Sequence, residues 1–253
     1  MIPKIIHLCW LSGDEYPDNI KKCIASIYEK LPDYEIKIWT KENFNISEVN
    51  WVKEAFENKK YAFAADYIRF WSLYNYGGIY LDSDVEVLHS FDSFLTAKSF
   101  MGFEYLNIPE AAVIGAEKGC EWIYKCLEWY NEKHFVNLDG SYNIEVVPNL
   151  VKIILEKYFK KTVFDNNTIQ NLDGLILYPY YYFSPKSYFN GKINKRKETI
   201  CIHRFASAWG PKKKRAWTLV FHQLVINILG KKMHDLLYRR FKKSSCLFNG
   251  QIV

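Results

Sequence analysis

The stretch from Tyr61 to Leu88, YAFAADYIRFWSLYNYGGIYLDSDVEVL, constrains this chain more than any other. Its first half is apolar and aromatic with a helical spacing, and it predicts a helix from near Tyr61 to Asn75 or Tyr76. Gly77 and Gly78 supply left-handed backbone at low steric cost and end the helix. Ile79, Tyr80 and Leu81 are strand formers bounded by the glycines and an acidic turn. Asp82 and Asp84 therefore fall at the carboxyl end of a strand, where open α/β sheets place their ligand sites. Two carboxylates turned toward one point suit a hard cation. Upstream, Asp66 and Arg69 are three apart and share one helix face. Charges in so apolar a segment require a partner or a ligand.

Alone, an Asp-x-Asp is most often a solvated turn, and Asp66 with Arg69 is most often a structural ion pair. Together, inside one helix–strand unit, they point to a site. The block ADYIRFWSLYNYGGIYLDSD also resembles the signature of the DXD sugar-binding glycosyltransferases of family 32. That family includes capsular-polysaccharide and mannosyl transferases and is related to the catalytic domains of large clostridial glucosylating toxins. Asp66, Arg69, Tyr74, Gly77-Gly78, Tyr80 and Asp82-x-Asp84 carry the match.

The resemblance implies a GT-A type α/β fold, a Rossmann-like mixed sheet flanked by helices. It implies a nucleotide-diphosphate sugar as donor, with Asp66 and Arg69 holding the hydroxyls of its sugar. The opening IPKIIHLCW is similar to the start of the same family, which places Trp10 against the nucleotide base; a packed strand-end Trp is an equally good reading. The late segment carrying His203, Ser207 and Trp209 resembles the family's closing element. There the His approaches metal and diphosphate, and the Trp closes over the donor. Donor contacts are thus expected from Trp10, Tyr80, Asp82, Ser207 and Trp209.

A chain of 253 residues suffices for one α/β domain with an appendage. At 49% apolar and 17% aromatic it is not a disordered sequence. Six scattered cysteines without a CxxC pair read as reduced thiols, and Ile2 to Trp10 is too short for a signal peptide and reads as a structural strand. Both readings favour a cytoplasmic protein.

In chain order, Pro3 to Trp10 reads as the first and central strand, with His7 packed inside. Asp18-Asn19 is placed to cap a helix from Ile20 to Lys30, and Tyr34 to Trp39 alternates as a strand. Strand, helix, strand is the βαβ order of a parallel sheet. A helix follows at Val49 to Asn58. Beyond the acidic turn, strands are expected at Phe100 to Glu104, Ala111 to Ala116, Leu175 to Tyr178 and Thr199 to Phe205, the last delivering His203. Helices are expected at Gly119 to Lys133 and Asn149 to Lys160. Val147-Pro148 stands where the family often has Gly-Pro, a departure that touches the acceptor-side loop.

The overall charge of +6 is an average over unlike parts. Residues 211–243 hold ten Lys or Arg against the single acid Asp235, which leaves the remainder net acidic. Domains are accordingly expected at 1–210, the catalytic domain, and 211–253, a basic amphipathic helical appendage. Ala216 to Leu229 is strongly apolar, but it falls short of the roughly 20 residues that span a bilayer. Flanked by basic clusters, it reads as an interfacial helix on anionic lipid at the inner face of the cell membrane rather than a nucleic-acid patch.

The chemistry the resemblance implies is metal-dependent hexose transfer with retention, to a glycan or lipid-linked acceptor, in surface-polysaccharide or capsule synthesis. Asp82, Asp84 and His203 are the expected cation ligands, and an imidazole in the set favours Mn²⁺ over Mg²⁺. Catalytic roles are expected of Asp66, Arg69, Asp82 and Asp84. A haloacid-dehalogenase-like phosphatase would use Asp82 as nucleophile and Asp84 as acid. It lacks the paired acids that should follow residue 84. A calcium loop starting at Asp82 fails because Val87 stands where Gly is needed and Ser93 where Glu is needed. A non-enzymatic membrane-binding module would leave the four charged residues of the block unexplained.

Overall fold

The computed structural model describes residues 1–104, 109–161, 164–188, 191–206 and Met233. The chain opens with β1 (Ile5–Cys9), α1 (Asp18–Lys30) and β2 (Glu35–Trp39), then α2 (Asn50–Glu57) and α3 (Tyr61–Tyr76). It continues with β3 (Gly78–Leu81), β4 (Val85–Val87), a 3-10 turn at Asp92–Phe94, β5 (Ser99–Phe103) and β6 (Pro109–Ala116). Then come α4 (Glu121–Tyr130), α5 (Val147–Tyr158), β7 (Gln170–Leu172), β8 (Leu175–Tyr178), α6 (Tyr180–Phe183) and β9 (Cys201–His203). Seven strands form one mixed sheet in the order β2-β1-β3-β6-β5-β8-β7. The contacts β1–β2, β1–β3 and β5–β8 are parallel, while β6 runs antiparallel to both β3 and β5.

Alternation along the strands divides the apolar residues between two cores. Tyr80 points to the side packed by α2, α3, α4 and α5, with Trp51, Phe70, Ile114, Ile123 and Leu150. Its neighbours Ile79 and Leu81 point to the opposite core, with Ile27 of α1, Phe91, Phe94, Phe100 and Phe183. A helix apolar on most of its circumference is a buried helix. In α3, Ala64, Ile68, Phe70 and Leu73 are all fully buried.

Three expectations are corrected. The first strand is second from the sheet edge, because only β2 lies outside it. Helix α1 begins at Asp18 behind Pro17, with no side-chain cap; Asp18 instead sits in the first turn, where an acid favours the helix dipole. Thr199 to Phe205 yields only the three residues of β9, which pair with β4 in a separate two-stranded sheet rather than joining the main one. Strand β7, a short polar edge paired to β8, was not expected from the sequence. Pro148 enters the first turn of α5, where its missing N–H costs nothing.

Ser187, Tyr188, Gly191 and Lys192 form a small separate turn, closed by the Ser187 N–H on the Lys192 carbonyl at 2.8 Å. The expected boundary at 210, the basic appendage 211–253 (Met233 apart), Ser207 and Trp209 lie outside the described residues. Among the described residues no helix is long and apolar enough to cross a membrane.

Candidate active site

The helix–glycine–strand unit fixes the acidic turn from below. The Gly77 N–H closes α3 on the Leu73 carbonyl at 2.8 Å, and the buried His7 Nε2 lies 2.7 Å from the Gly77 carbonyl. The Trp39 indole donates to His7 Nδ1 at 3.2 Å, so His7 carries its proton on Nε2 and donates it to Gly77. Burial holds its pKa down at about 4, and it is a neutral packed group, as its place in the strand suggested.

Continuing the alternation of β3 past Leu81 turns Asp82 to the Tyr80 side, where α3 presents Arg69. Arg69 Nη2 donates to Asp82 Oδ1 at 2.8 Å and lies 3.3 Å from Asp66 Oδ1. Its guanidinium sits over the Tyr80 ring, 4.7 Å from the centroid. The Arg69 side chain is 6% exposed, and its Nε is a buried donor with no hydrogen-bond partner among the described residues. Tyr80 itself is 2% exposed beneath that cation, so it supports Arg69 instead of lining an open surface. Asp66 and Arg69 are therefore already joined to the acidic turn in the free protein.

The turn itself is pinned by three backbone contacts. The Asp82 N–H donates to the Ala112 carbonyl, the Ser83 hydroxyl to the Cys9 carbonyl, and the Val85 N–H to the Asp82 carbonyl. Because β4 pairs with β9 and Val85 stands opposite His203, the imidazole is delivered beside Asp84. His203 Nε2 lies 3.4 Å from Asp84 Oδ1, and the Ala206 N–H donates to Asp84 Oδ2 at 2.6 Å. Asp82, Asp84 and His203 each offer a ligand atom, all within 4.8 Å of one another. Their separation in sequence is spanned by one strand pair.

The two acids of the motif sit in opposed environments. Burial drives the Asp82 carboxyl up, against the pull of Arg69. Asp84 is held down despite its burial, by His203 and by the Ala206 amide. The imidazole is pushed well above its ordinary range despite burial, because Glu110 and Asp84 flank it. Asp66, desolvated and facing Asp82 across Arg69, is raised to about 7.

Trp10 follows β1 at the same sheet end, next to the Cys9 carbonyl that anchors Ser83. Its ring packs against Tyr16 at 4.8 Å, and its indole N–H donates to the Asp14 carbonyl at 2.8 Å. It is half-buried and keeps an accessible part. Sequence reasoning missed Glu110, which is 1% exposed and lies 3.3 Å from His203 Nδ1. The signal was present: one acid in the otherwise apolar run PEAAVIGA.

The described residues thus form an open mixed α/β sheet with two carboxylates and an imidazole gathered at a strand's carboxyl end. Residues 17–101 match the family model of the glycosyltransferase sugar-binding region containing the DXD motif. The chain is 37% identical over 98 residues to inositol phosphoceramide mannosyltransferase 3 of Schizosaccharomyces pombe, covering 37% of this chain and 27% of that protein. It is 36% identical over 112 residues to a mannosyl phosphorylinositol ceramide synthase of Saccharomyces cerevisiae, covering 40% of this chain and 29% of the relative. The chain thus matches less than a third of the length of either relative. Among solved structures, the PaToxG glycosyltransferase superposes with a TM-score of 0.47 at 20% identity, over 63% of this chain and 70% of that one.

Proposed function

We propose that this protein is a glycosyltransferase that moves a hexose from a nucleotide-diphosphate sugar to a glycan or lipid-linked acceptor, with retention and with the help of a divalent cation. The observation that carries the reading is the Asp82–Asp84–His203 cluster inside 4.8 Å, reached from a segment that matches the DXD family. The donor set suits the cation. Two carboxylates supply hard oxygen ligands, and one imidazole shifts the preference toward Mn²⁺. A cation bound there acts as a Lewis acid on the diphosphate oxygens of the leaving group.

The chain's own residues take distinct parts. Asp84 and His203 would hold the cation, with Asp82 shared between that task and Arg69. By the resemblance, Asp66 and Arg69, which lie 3.3 Å apart, would take hydroxyls of the donor sugar and fix the ring for attack. Trp10 offers a half-buried aromatic face for the base, and the resemblance assigns donor contacts to Ser207 and Trp209. No protein nucleophile is assigned; in this reading the leaving diphosphate itself would take the acceptor proton. The names of the relatives favour a mannosyl donor and an inositol-phosphoceramide-like or other lipid-borne acceptor. The basic tail, by its sequence, favours work at an anionic cytoplasmic membrane surface. Surface-glycan assembly is the matching process.

The test is calorimetric titration of a panel of nucleotide sugars, mannosyl donors first, with and without Mn²⁺, on the wild type and on Asp84→Ala. We expect one donor to bind in a Mn²⁺-dependent manner and Asp84→Ala to abolish that binding. Absence of binding to every donor in both conditions would return the acidic turn to a structural role.

A further inference from the structure

A carboxylate buried in a strand is costly unless its charge is answered. Glu110 is 1% exposed in β6, beyond the register shift that separates the Met101 and Gly102 pairings of β5. Across that shift Met101 faces Ile114 but Gly102 faces Glu110, so residues 111–113 are extra on the β6 side. The irregularity turns the Glu110 side chain back onto its own strand. Its Oε1 accepts the Ala112 N–H at 2.8 Å, while the Ala112 carbonyl accepts the Asp82 N–H at 2.9 Å. One residue thereby ties Glu110 to the acidic turn. Bulges next to active sites re-aim side chains in this way.

The ion pair that Glu110 makes among the described residues is with His203, its two oxygens each 3.3 Å from Nδ1. The other ring nitrogen, Nε2, faces Asp84 at 3.4 Å. The ring is also clamped from one side by Phe205, whose centroid is 3.9 Å away and whose backbone sits at φ 51. A non-glycine residue in that region stores strain that its surroundings must hold.

We propose that Glu110 is a positioning residue for the cation site: its carboxylate holds the Nδ1–H of His203 and so presents Nε2, which would give up its proton to bind the cation, toward Asp82 and Asp84. The inference rests on the cation reading above and goes beyond it, because Glu110 is outside the Asp82–Asp84–His203 group and meets the imidazole on the nitrogen away from Asp84. A carboxylate behind a ligating imidazole fixes both tautomer and ring orientation, and losing such a partner typically weakens metal affinity about 10- to 100-fold. Glutamine is a poor substitute here. Its oxygen can meet the Ala112 N–H, but its NH₂ then stands against Nδ1, which relieves the conflict by giving up its proton to Nε2. The ligand atom is then blocked.

The experiment is Mn²⁺ titration, followed by calorimetry without any sugar donor, on wild type, Glu110→Gln, His203→Ala and the double variant. We expect Glu110→Gln to weaken Mn²⁺ binding about 10- to 100-fold. In the His203→Ala background the same change should add less than about twofold, because two residues acting through one contact do not add. Wild-type affinity in Glu110→Gln, or an equal loss in both backgrounds, overturns the proposal. Should the variant not fold, wild-type protein labelled with ¹⁵N-histidine and titrated with ¹¹³Cd²⁺ decides the matter. Coupling of the metal to Nε2 of His203 with a proton on Nδ1 supports it, and coupling to Nδ1 overturns it. A wild type that binds neither Mn²⁺ nor Cd²⁺ sinks the cation reading as well, whereas Mn²⁺ binding retained in Glu110→Gln sinks this inference alone.

Discussion

Asp66 shows how much of a residue's chemistry is set by neighbours it meets only in space. It is one turn from Arg69 and across that cation from Asp82, and desolvation raises its carboxyl from the ordinary range to about 7. An acid whose folded pKa lies above its unfolded value binds its proton more tightly in the native state. Its contribution therefore erodes stability as pH rises from about 4 to about 7, and is constant above that window. Asp66→Asn removes this linkage. We expect the urea-unfolding free energy of the variant, relative to wild type, to gain between these two pH values, because the loss tied to Asp66 is gone. An unchanged slope would show that Asp66 is ionised throughout. The pair Asp66 and Arg69 was legible because charges in the run YAFAADYIRFW have no cheap place to go. The partner that Arg69 holds most closely, Asp82, was not, because it depends on which face of β3 the turn leaves from.

At the scale of elements, the helix Tyr61–Tyr76 and the strand Gly78–Leu81 follow the sequence almost residue for residue, since Gly77-Gly78 punctuates them. Gly78 sits at φ 110, and a Cβ there would lie 2.6 Å from the Ile5 carbonyl, backbone that cannot step aside. The close seating of β3 on β1 depends on that missing atom. Gly115 makes the matching point on β6, where a Cβ would fall 2.1 Å from the Phe100 ring. Gly115→Ala should destabilise by about 1–3 kcal/mol through overpacking, read as a lowered midpoint in thermal or denaturant unfolding. A midpoint unchanged from wild type would mean that Phe100 moves freely, against its place in a stack with Phe91 and Phe183. Strands β7 and β9 were harder to read. Each is three residues long, too short to show alternation, and β9 exists only because β4 offers it an edge.

Over the whole molecule, charge is segregated along the chain: the tail 211–243 is strongly basic and the rest is net acidic. Like-charged segments of this kind bind anionic lipid through screened attraction that weakens as ionic strength rises. We expect the full chain to co-sediment with phosphatidylserine-containing vesicles at low salt, to release as salt rises, and to lose binding when 211–253 is deleted. Equal sedimentation of the full and truncated chains would remove the tail from membrane association.

By itself, the sequence determined the α/β class, the helix–glycine–strand block and the candidate acids Asp66, Asp82 and Asp84, because propensity, periodicity and spacing act over a few residues. It also marked His203, through a resemblance rather than through local physics. Only the tertiary structure decided that β6 runs antiparallel between β3 and β5, that the β4–β9 pair sets His203 against Asp84, and that Glu110 stands behind the imidazole. The last two placements come from contacts between residues about a hundred positions apart, which the energy of the packed sheet selects and which no local pattern along the chain encodes.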